Sequence, residues 1–220
     1  GSGSGALVEA IPVAVAAGST VIAVDYRLTP EHVFPAAIDD VQAVYESLLQ
    51  SNSAHSIGMY GCSAGAILTA QSVARFIERG LPVPGALAML GGAGLMPGGD
   101  SVHLASALSG EPLAAATSDE QASLPILEAY LGGVGSDDPR VAPAEDAGLL
   151  ARFPPSLLIT GTRDFALSSA STMHRRLIAG PVPAEIFVFD GMWHAFHIFP
   201  DLPESQEVYG LLADFFRRHL

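Results

Sequence analysis

A chain of 220 residues with 49% hydrophobic residues has enough apolar content for one packed domain, and its formal net charge of −13 excludes nucleic acid as a partner, because phosphate binding needs clustered basic residues. All ten basic residues are arginines, which excludes a lysine Schiff base and a P-loop lysine. The single cysteine, Cys62, excludes an internal disulfide and any paired-cysteine zinc site.

In chain order, the spacing predicts a helix over Leu7–Ala17, a strand over Thr20–Val24 and a helix over Ala36–Leu49. The second helix carries an apolar face of Ala37, Val41, Val44, Tyr45 and Leu48. A strand over Ser56–Tyr60 leads into a helix over Ala64–Arg79, which Gly80 and Pro82 end. A strand over Ala86–Leu90 follows. The segment Gly91–Phe153 then breaks the rhythm; it is rich in Gly and Pro, carries a helix near Leu124–Leu131, and reads as a lid or pocket insertion over 92–153. Strands over Ser156–Thr160 and Glu185–Phe189 alternate with helices over Ser168–Ala179 and Glu204–His219. Short apolar strands between amphipathic helices predict a single α/β domain over 1–220, with a mainly parallel sheet buried on both faces. The most apolar early run, Ala10–Val24, is interrupted by Pro12, Gly18, Ser19 and Thr20, so no membrane insertion is expected. No basic start precedes an apolar core, so no signal peptide is visible and the location expected is cytoplasmic.

The stretch Tyr60-Gly61-Cys62-Ser63-Ala64-Gly65 lies where a predicted strand meets a predicted helix. Gly-x-Ser-x-Gly at such a junction is the pattern of a nucleophile elbow: the turn is so tight that its flanks must be nearly free of side chains, and the serine hydroxyl is left exposed. The helix start behind Ser63 favours developing negative charge. The ordinary alternative is a small-residue turn. A serine needs a base, and the base needs an orienting acid. Asp164 falls just past the strand Ser156–Thr160 and His194 just past Glu185–Phe189. Both therefore sit at carboxyl ends of strands, the same edge as Ser63, in the order Ser, Asp, His expected of this elbow. The catalytic set expected is Ser63, Asp164 and His194, with the Ala64 amide in the oxyanion hole. Asp190, before Gly191, reads as a turn residue. His197 follows His194 by one helical turn, but no HExxH or carboxylate cluster accompanies it, so no metal is expected and His197 reads as pocket wall or surface. Cys62 is expected to point into packing. His32, His55, His103, His174 and His219 have no assigned chemistry.

With "DYRLTPEHVFPAAIDD" (Asp25–Asp40), "GCSAG", "GTRD" and "WHAF" in view, nearly the whole chain resembles the hormone-sensitive lipase-like esterases, the bacterial family IV of the α/β-hydrolase superfamily. The resemblance implies the α/β-hydrolase fold, Ser63, Asp164 and His194 as the triad, a carboxylesterase acting on short acyl chains, and no cofactor. It implies that Tyr26, Arg27, Glu31 and His32 pin the loop between strand and helix. Four departures accompany it. Cys62 stands where the family usually has Asp, "DFALS" (Asp164–Ser168) replaces "DPLRD", and Ala195 replaces the glycine after the family's histidine. The His-Gly-Gly-Gly signature, whose amides form most of the family's oxyanion hole, is absent. The opening "GSGSGALVEA" aligns just downstream of that loop, so the expectation is a chain lacking the N-terminal strands, the first cap helices and the strand between Thr20–Val24 and Ser56–Tyr60.

Two functions follow as expectations. The first is a serine carboxylesterase whose partner is a small-molecule ester; the alternative is a catalytically idle or truncated small-molecule binding protein on the same fold. A peptidase or lactone hydrolase is a third, weaker reading. The pocket is expected to be shallow and apolar: Trp193 and Phe196 flank His194, and Leu95, Met96 and Leu104 lie in the insertion, although each alone reads as ordinary core. The segment Glu185–Leu220 offers a sheet edge through which a homodimer could form.

Overall fold

Apolar runs of five or six residues, too short for helices, become the four strands of a parallel sheet in the computed structural model, which describes residues 3–94, 97–109 and 125–220. The strands are β1 (Gly58–Cys62), β2 (Ala86–Leu90), β3 (Ser156–Gly161) and β4 (Ala184–Phe189), in the order β1-β2-β3-β4. Pairing Cys62 with Leu90, Leu90 with Ile159 and Gly161 with Phe189 brings all four carboxyl ends to one edge. The helices are α1 (Ser4–Ala17), α2 (Ala36–Leu48), α3 (Ala64–Arg79), α4 (Asp100–Ser109), α5 (Pro125–Leu131), α6 (Ala147–Leu150), α7 (Leu167–Ala179) and α8 (Pro203–His219). No helix among the described residues is long and apolar enough to cross a membrane.

The period of two along each strand divides the core into two layers. Leu87, Met89 and Leu158 pack against Val73 and Ile77 of α3 and Met173 and Leu177 of α7. Ala86, Ala88, Leu90, Leu157 and Ile159 face the other way, onto Val208, Leu212 and Phe215 of α8 and Val13 of α1. Burial on both faces explains why the central strands are continuously apolar. Helix α3 ends where the left-handed Gly80 (φ +70°) lets its own N–H reach Ile77 O and the Leu81 N–H reach Phe76 O, as the Gly80 and Pro82 signal predicts.

The expected strand over Thr20–Val24 does not form; the segment is irregular and largely exposed. A strand is defined by the ladder it joins, and among the described residues β1 is the edge of the sheet with no strand beyond it. Strand β1 begins two residues later than the pattern suggests, because Ala54–Ser56 winds into a 3₁₀ turn. On α2 the buried residues are Ala37, Ile38 and Tyr45, while Val41, Val44 and Leu48 are only half-buried. Tyr45 decides that rotation: its ring stacks on Phe76 at 4.3 Å and its hydroxyl donates to Pro82 O at 2.9 Å. Burial pushes the Tyr45 phenol up to about 12. The insertion contains α4, α5 and α6, with α5 matching the helix expected there from Pro125 onward; Leu124, Leu95 and Met96 lie outside the described residues.

The loop before α2 is pinned by one residue of its motif. Arg27 donates through Nε to both Asp40 carboxylate oxygens, at 3.0 and 2.9 Å, and its backbone N–H reaches Asp40 Oδ2 at 2.8 Å. Tyr26 packs against a cluster around Phe34 and Leu131. Glu31 and His32, expected to share the pinning, are exposed.

Candidate active site

The site grows from the elbow between β1 and α3. Ser63 has φ +56° and ψ −119°, a conformation a residue with a side chain adopts only when its surroundings impose it. Two bonds impose it here: the Ser63 N–H donates to Leu90 O at 2.8 Å, and Ser63 O accepts from Ala66 N at 3.0 Å as α3 begins. Gly61 is required by contact, since a Cβ there would sit 2.3 Å from the carbonyl of Gly65. At Gly65 the reason differs from the expectation. A Cβ on Gly65 meets none of the described atoms, so what the turn demands of Gly65 is the close approach of its backbone to Gly61.

Asp164 comes from the turn after β3 and is 2% exposed. Its carboxylate is held on three sides: Oδ1 accepts from Ala166 N–H at 2.8 Å, Oδ2 accepts from the Thr160 hydroxyl at 3.1 Å, and Oδ1 lies 2.8 Å from His194 Nδ1. His194, from the turn after β4, places Nε2 2.8 Å from Ser63 Oγ. The structure thus brings Ser63, His194 and Asp164 into one hydrogen-bonded line, with Asp164 buried at one end and the serine hydroxyl at the other. An imidazole that donates Nδ1–H to a carboxylate has Nε2 free to accept a proton from the serine. Ala64 is the first residue of α3, so its N–H is one of the amides a helix start leaves without an intrahelical acceptor.

Several residues that complete this line carried no sequence signal. Gly91 (φ +55°) follows β2 beneath the site; a Cβ there would stand 3.1 Å from His194 Nδ1 and 3.2 Å from Asp164 Oδ2. A Cβ on Gly92 would stand 2.8 Å from Ser63 O. The Phe165 ring lies against His194 at 4.2 Å, fixing the plane of the imidazole. Ser168 stands where the resembling family has its second aspartate, and it clasps α4: the Ser101 N–H donates to Ser168 Oγ at 3.1 Å, the Ser168 N–H to Ser101 Oγ at 3.0 Å, and the Ser101 hydroxyl to Phe165 O at 2.6 Å. Only the Gly-Gly pair after a strand could have hinted at this floor; the other contacts join residues far apart in sequence.

Other expectations fare differently. Asp190 sits in its turn, accepting from the Thr162 hydroxyl at 3.3 Å. Phe196 is buried core, whereas Trp193 and Leu104 are 43% and 60% exposed, so neither is core. His197 is not at the surface: it is 3% exposed, on the side of the sheet facing α1 and α8. Cys62 packs partly buried against that same layer.

Ala195 has φ +56° and ψ 28°, a left-handed conformation that costs a residue with a Cβ about 1–2 kcal/mol. Ala195→Gly is therefore expected to stabilise the fold by about 0.5–1 kcal/mol, after the entropy regained by the unfolded glycine is subtracted, raising the melting temperature by about 1–4 °C for a chain of this size. Thermal melting followed by circular dichroism checks this; an unchanged or lower melting temperature would show that the turn is held by Ala195 itself.

A profile described as alpha/beta hydrolase fold matches residues 10–198. A crystallised esterase from the bacterial hormone-sensitive lipase family superposes with a TM-score of 0.84 at 30% identity, over 94% of this chain and 68% of that one. The chain belongs to the alpha/beta hydrolase fold family, in its hormone-sensitive lipase branch. Among the relatives of this chain are an acetyl-hydrolase of Streptomyces hygroscopicus, 27% identical over 92% of this chain, and an esterase of Acinetobacter venetianus, 29% identical over 89% of it. The chain spans 66% of the length of the first and 63% of the second.

Proposed function

We propose that this α/β-hydrolase is a serine carboxylesterase acting on small, short-chain acyl esters through an acyl-enzyme intermediate. The observation that carries the reading is the line from Ser63 Oγ through the His194 imidazole to buried Asp164, with both contacts at 2.8 Å. Relatives named esterase and acetyl-hydrolase point to the same ester chemistry.

In this reading Ser63 Oγ attacks the ester carbonyl while His194 Nε2 takes its proton. Asp164 holds the Nδ1–H tautomer and offsets the charge of the imidazolium. The Ala64 N–H, at the positive end of α3, donates to the oxyanion of the tetrahedral intermediate. His194 then gives its proton to the departing alcohol, leaving the acyl group on Ser63. Water enters, His194 removes its proton, and a second collapse releases the acid and restores Ser63. The route needs no cofactor. The experiment that tests this reading is hydrolysis of p-nitrophenyl acetate and butyrate, with a burst of p-nitrophenol equal to the enzyme as the mark of an acyl-enzyme.

The second reading, an idle binding protein on the same fold, turns on the oxyanion hole, in which the Ala64 N–H at the start of α3 is the donor assigned among the described residues. Removing one oxyanion donor costs about 10²–10³ in rate. With Ala64 as the assigned donor, the chain is expected to be slower by about that factor, for each donor lacking, than a version extended at its amino terminus by a strand and a His-Gly-Gly-Gly loop. Comparison of kcat/KM for the two checks it. Equal rates would mean that other amides fill the hole; a folded, extended chain without turnover would favour the binder.

A further inference from the structure

Cys62 adjoins Ser63, but alternate residues of β1 face opposite sides of the sheet, and the Cys62 side chain belongs to the layer with α1 and α8. There it meets Glu9 of α1 and His197 of the 3₁₀ turn Phe196–Ile198 that follows His194. A carboxylate oxygen, the Sγ and a ring nitrogen of these three residues all lie within 4.8 Å of one another. His197 is 3% exposed, and its Nε2 is buried without a hydrogen-bond partner. Glu9 Oε2 stands 3.5 Å from it, beyond ordinary hydrogen-bond length. A buried ring nitrogen left in this state is uncommon and calls for an occupant.

The spacing fits one. With metal–nitrogen and metal–oxygen bonds of about 2.0–2.2 Å, the N–O edge of a tetrahedron is about 3.4 Å, the separation His197 and Glu9 already have to within about 0.1 Å. We propose that Glu9, Cys62 and His197 form a three-donor site for a thiophilic divalent cation of the zinc class, with the fourth position open to water. The donor set selects the metal: thiolate and imidazole favour zinc-class ions over magnesium or calcium, which prefer oxygen. The charges balance, since Glu9 and a Cys62 thiolate together supply two negative charges to a doubly positive ion in a largely water-excluded place. A thiol gives up its proton when a sulfur–metal bond forms, so binding displaces the Cys62 proton to solvent. No motif announced the site, because its donors come from a helix, a strand and a turn at positions 9, 62 and 197. An ion there ties α1 to the elbow and to the turn that carries His194. The site stands apart from the esterase reading, because its test reads binding and not turnover.

The test is titration of the full chain with Co²⁺, followed by thiolate-to-cobalt charge-transfer absorption, with Zn²⁺ as competitor and melting curves at increasing Zn²⁺. The expected result is a band that saturates at one equivalent, is displaced by Zn²⁺ and vanishes in Cys62→Ser, with a melting temperature that climbs with Zn²⁺ concentration. Glu9→Gln keeps the shape of a half-buried side chain and serves as the milder variant. It is expected to weaken Zn²⁺ binding by at least the roughly 10–100-fold that losing an outer-shell partner costs. A folded wild-type chain that gives no band would overturn the proposal, and so would a band that survives Cys62→Ser or a Zn²⁺ affinity unmoved by Glu9→Gln.

Discussion

Ser63→Ala is expected to bring hydrolysis of p-nitrophenyl acetate and butyrate down to the background rate, a loss on the order of 10⁶ where the oxyanion hole is complete and smaller by about 10²–10³ for each oxyanion donor lacking, because nucleophile and base act as a unit. The loss is not a folding effect. The Ser63 side chain bonds to His194 Nε2, and the contacts that hold the elbow are made by its backbone to Leu90 O and by Ala66. Alanine at φ +56° carries the same Cβ strain as serine, so the melting temperature should move little. Initial rates and circular dichroism on the same preparations check both halves. Turnover retained in a folded Ser63→Ala chain would remove Ser63 from the mechanism.

Asp164→Asn should cost about 10³ in kcat while leaving KM nearly unchanged, because about 4 kcal/mol of attraction between a carboxylate and an imidazolium is lost. The donors around the buried side chain fix how the amide sits. Ala166 N–H and His194 Nδ1 both meet Oδ1, while Oδ2 meets the Thr160 hydroxyl. With the asparagine oxygen in the Oδ1 place it accepts from both, and its NH₂ donates to Thr160 Oγ1. The imidazole keeps its Nδ1–H tautomer and Nε2 still faces Ser63 Oγ at 2.8 Å, but no carboxylate offsets the imidazolium that forms when Nε2 takes the proton. Because residue 164 reaches no substrate, the loss belongs to kcat. A variant with kcat within tenfold of the parent would show that the charge of Asp164 contributes little and that holding the ring, which the Phe165 ring at 4.2 Å shares, is enough.

What the sequence displays and what it conceals follow from the range of the interactions. Strands β2 and β3 were legible because burial on both faces makes them continuously apolar, and α3 because Gly80 and Pro82 punctuate it. Ser63 was legible because a tight strand-to-helix turn forces a local glycine pattern, and Asp164 and His194 because parallel strands deliver their trailing residues to one edge. Thr20–Val24 misled because its composition suits a strand, while a strand also needs a neighbour, and a neighbour is not a property of the segment. The floor at Gly91, the Phe165 ring and the Ser101–Ser168 clasp were hidden for the same reason: each joins residues far apart in sequence. His197 was misplaced because position in sequence after His194 does not say which side of the sheet a 3₁₀ turn will face.

The most direct test of the central claim, that His194 and Asp164 activate Ser63 as a nucleophile, is covalent labelling by a fluorophosphonate ester followed by peptide mass spectrometry. The account predicts one adduct, on the peptide carrying Ser63, that forms with the intact chain and is lost in Ser63→Ala and in folded His194→Ala. A folded intact chain that stays unlabelled, or an adduct on another serine, would contradict it.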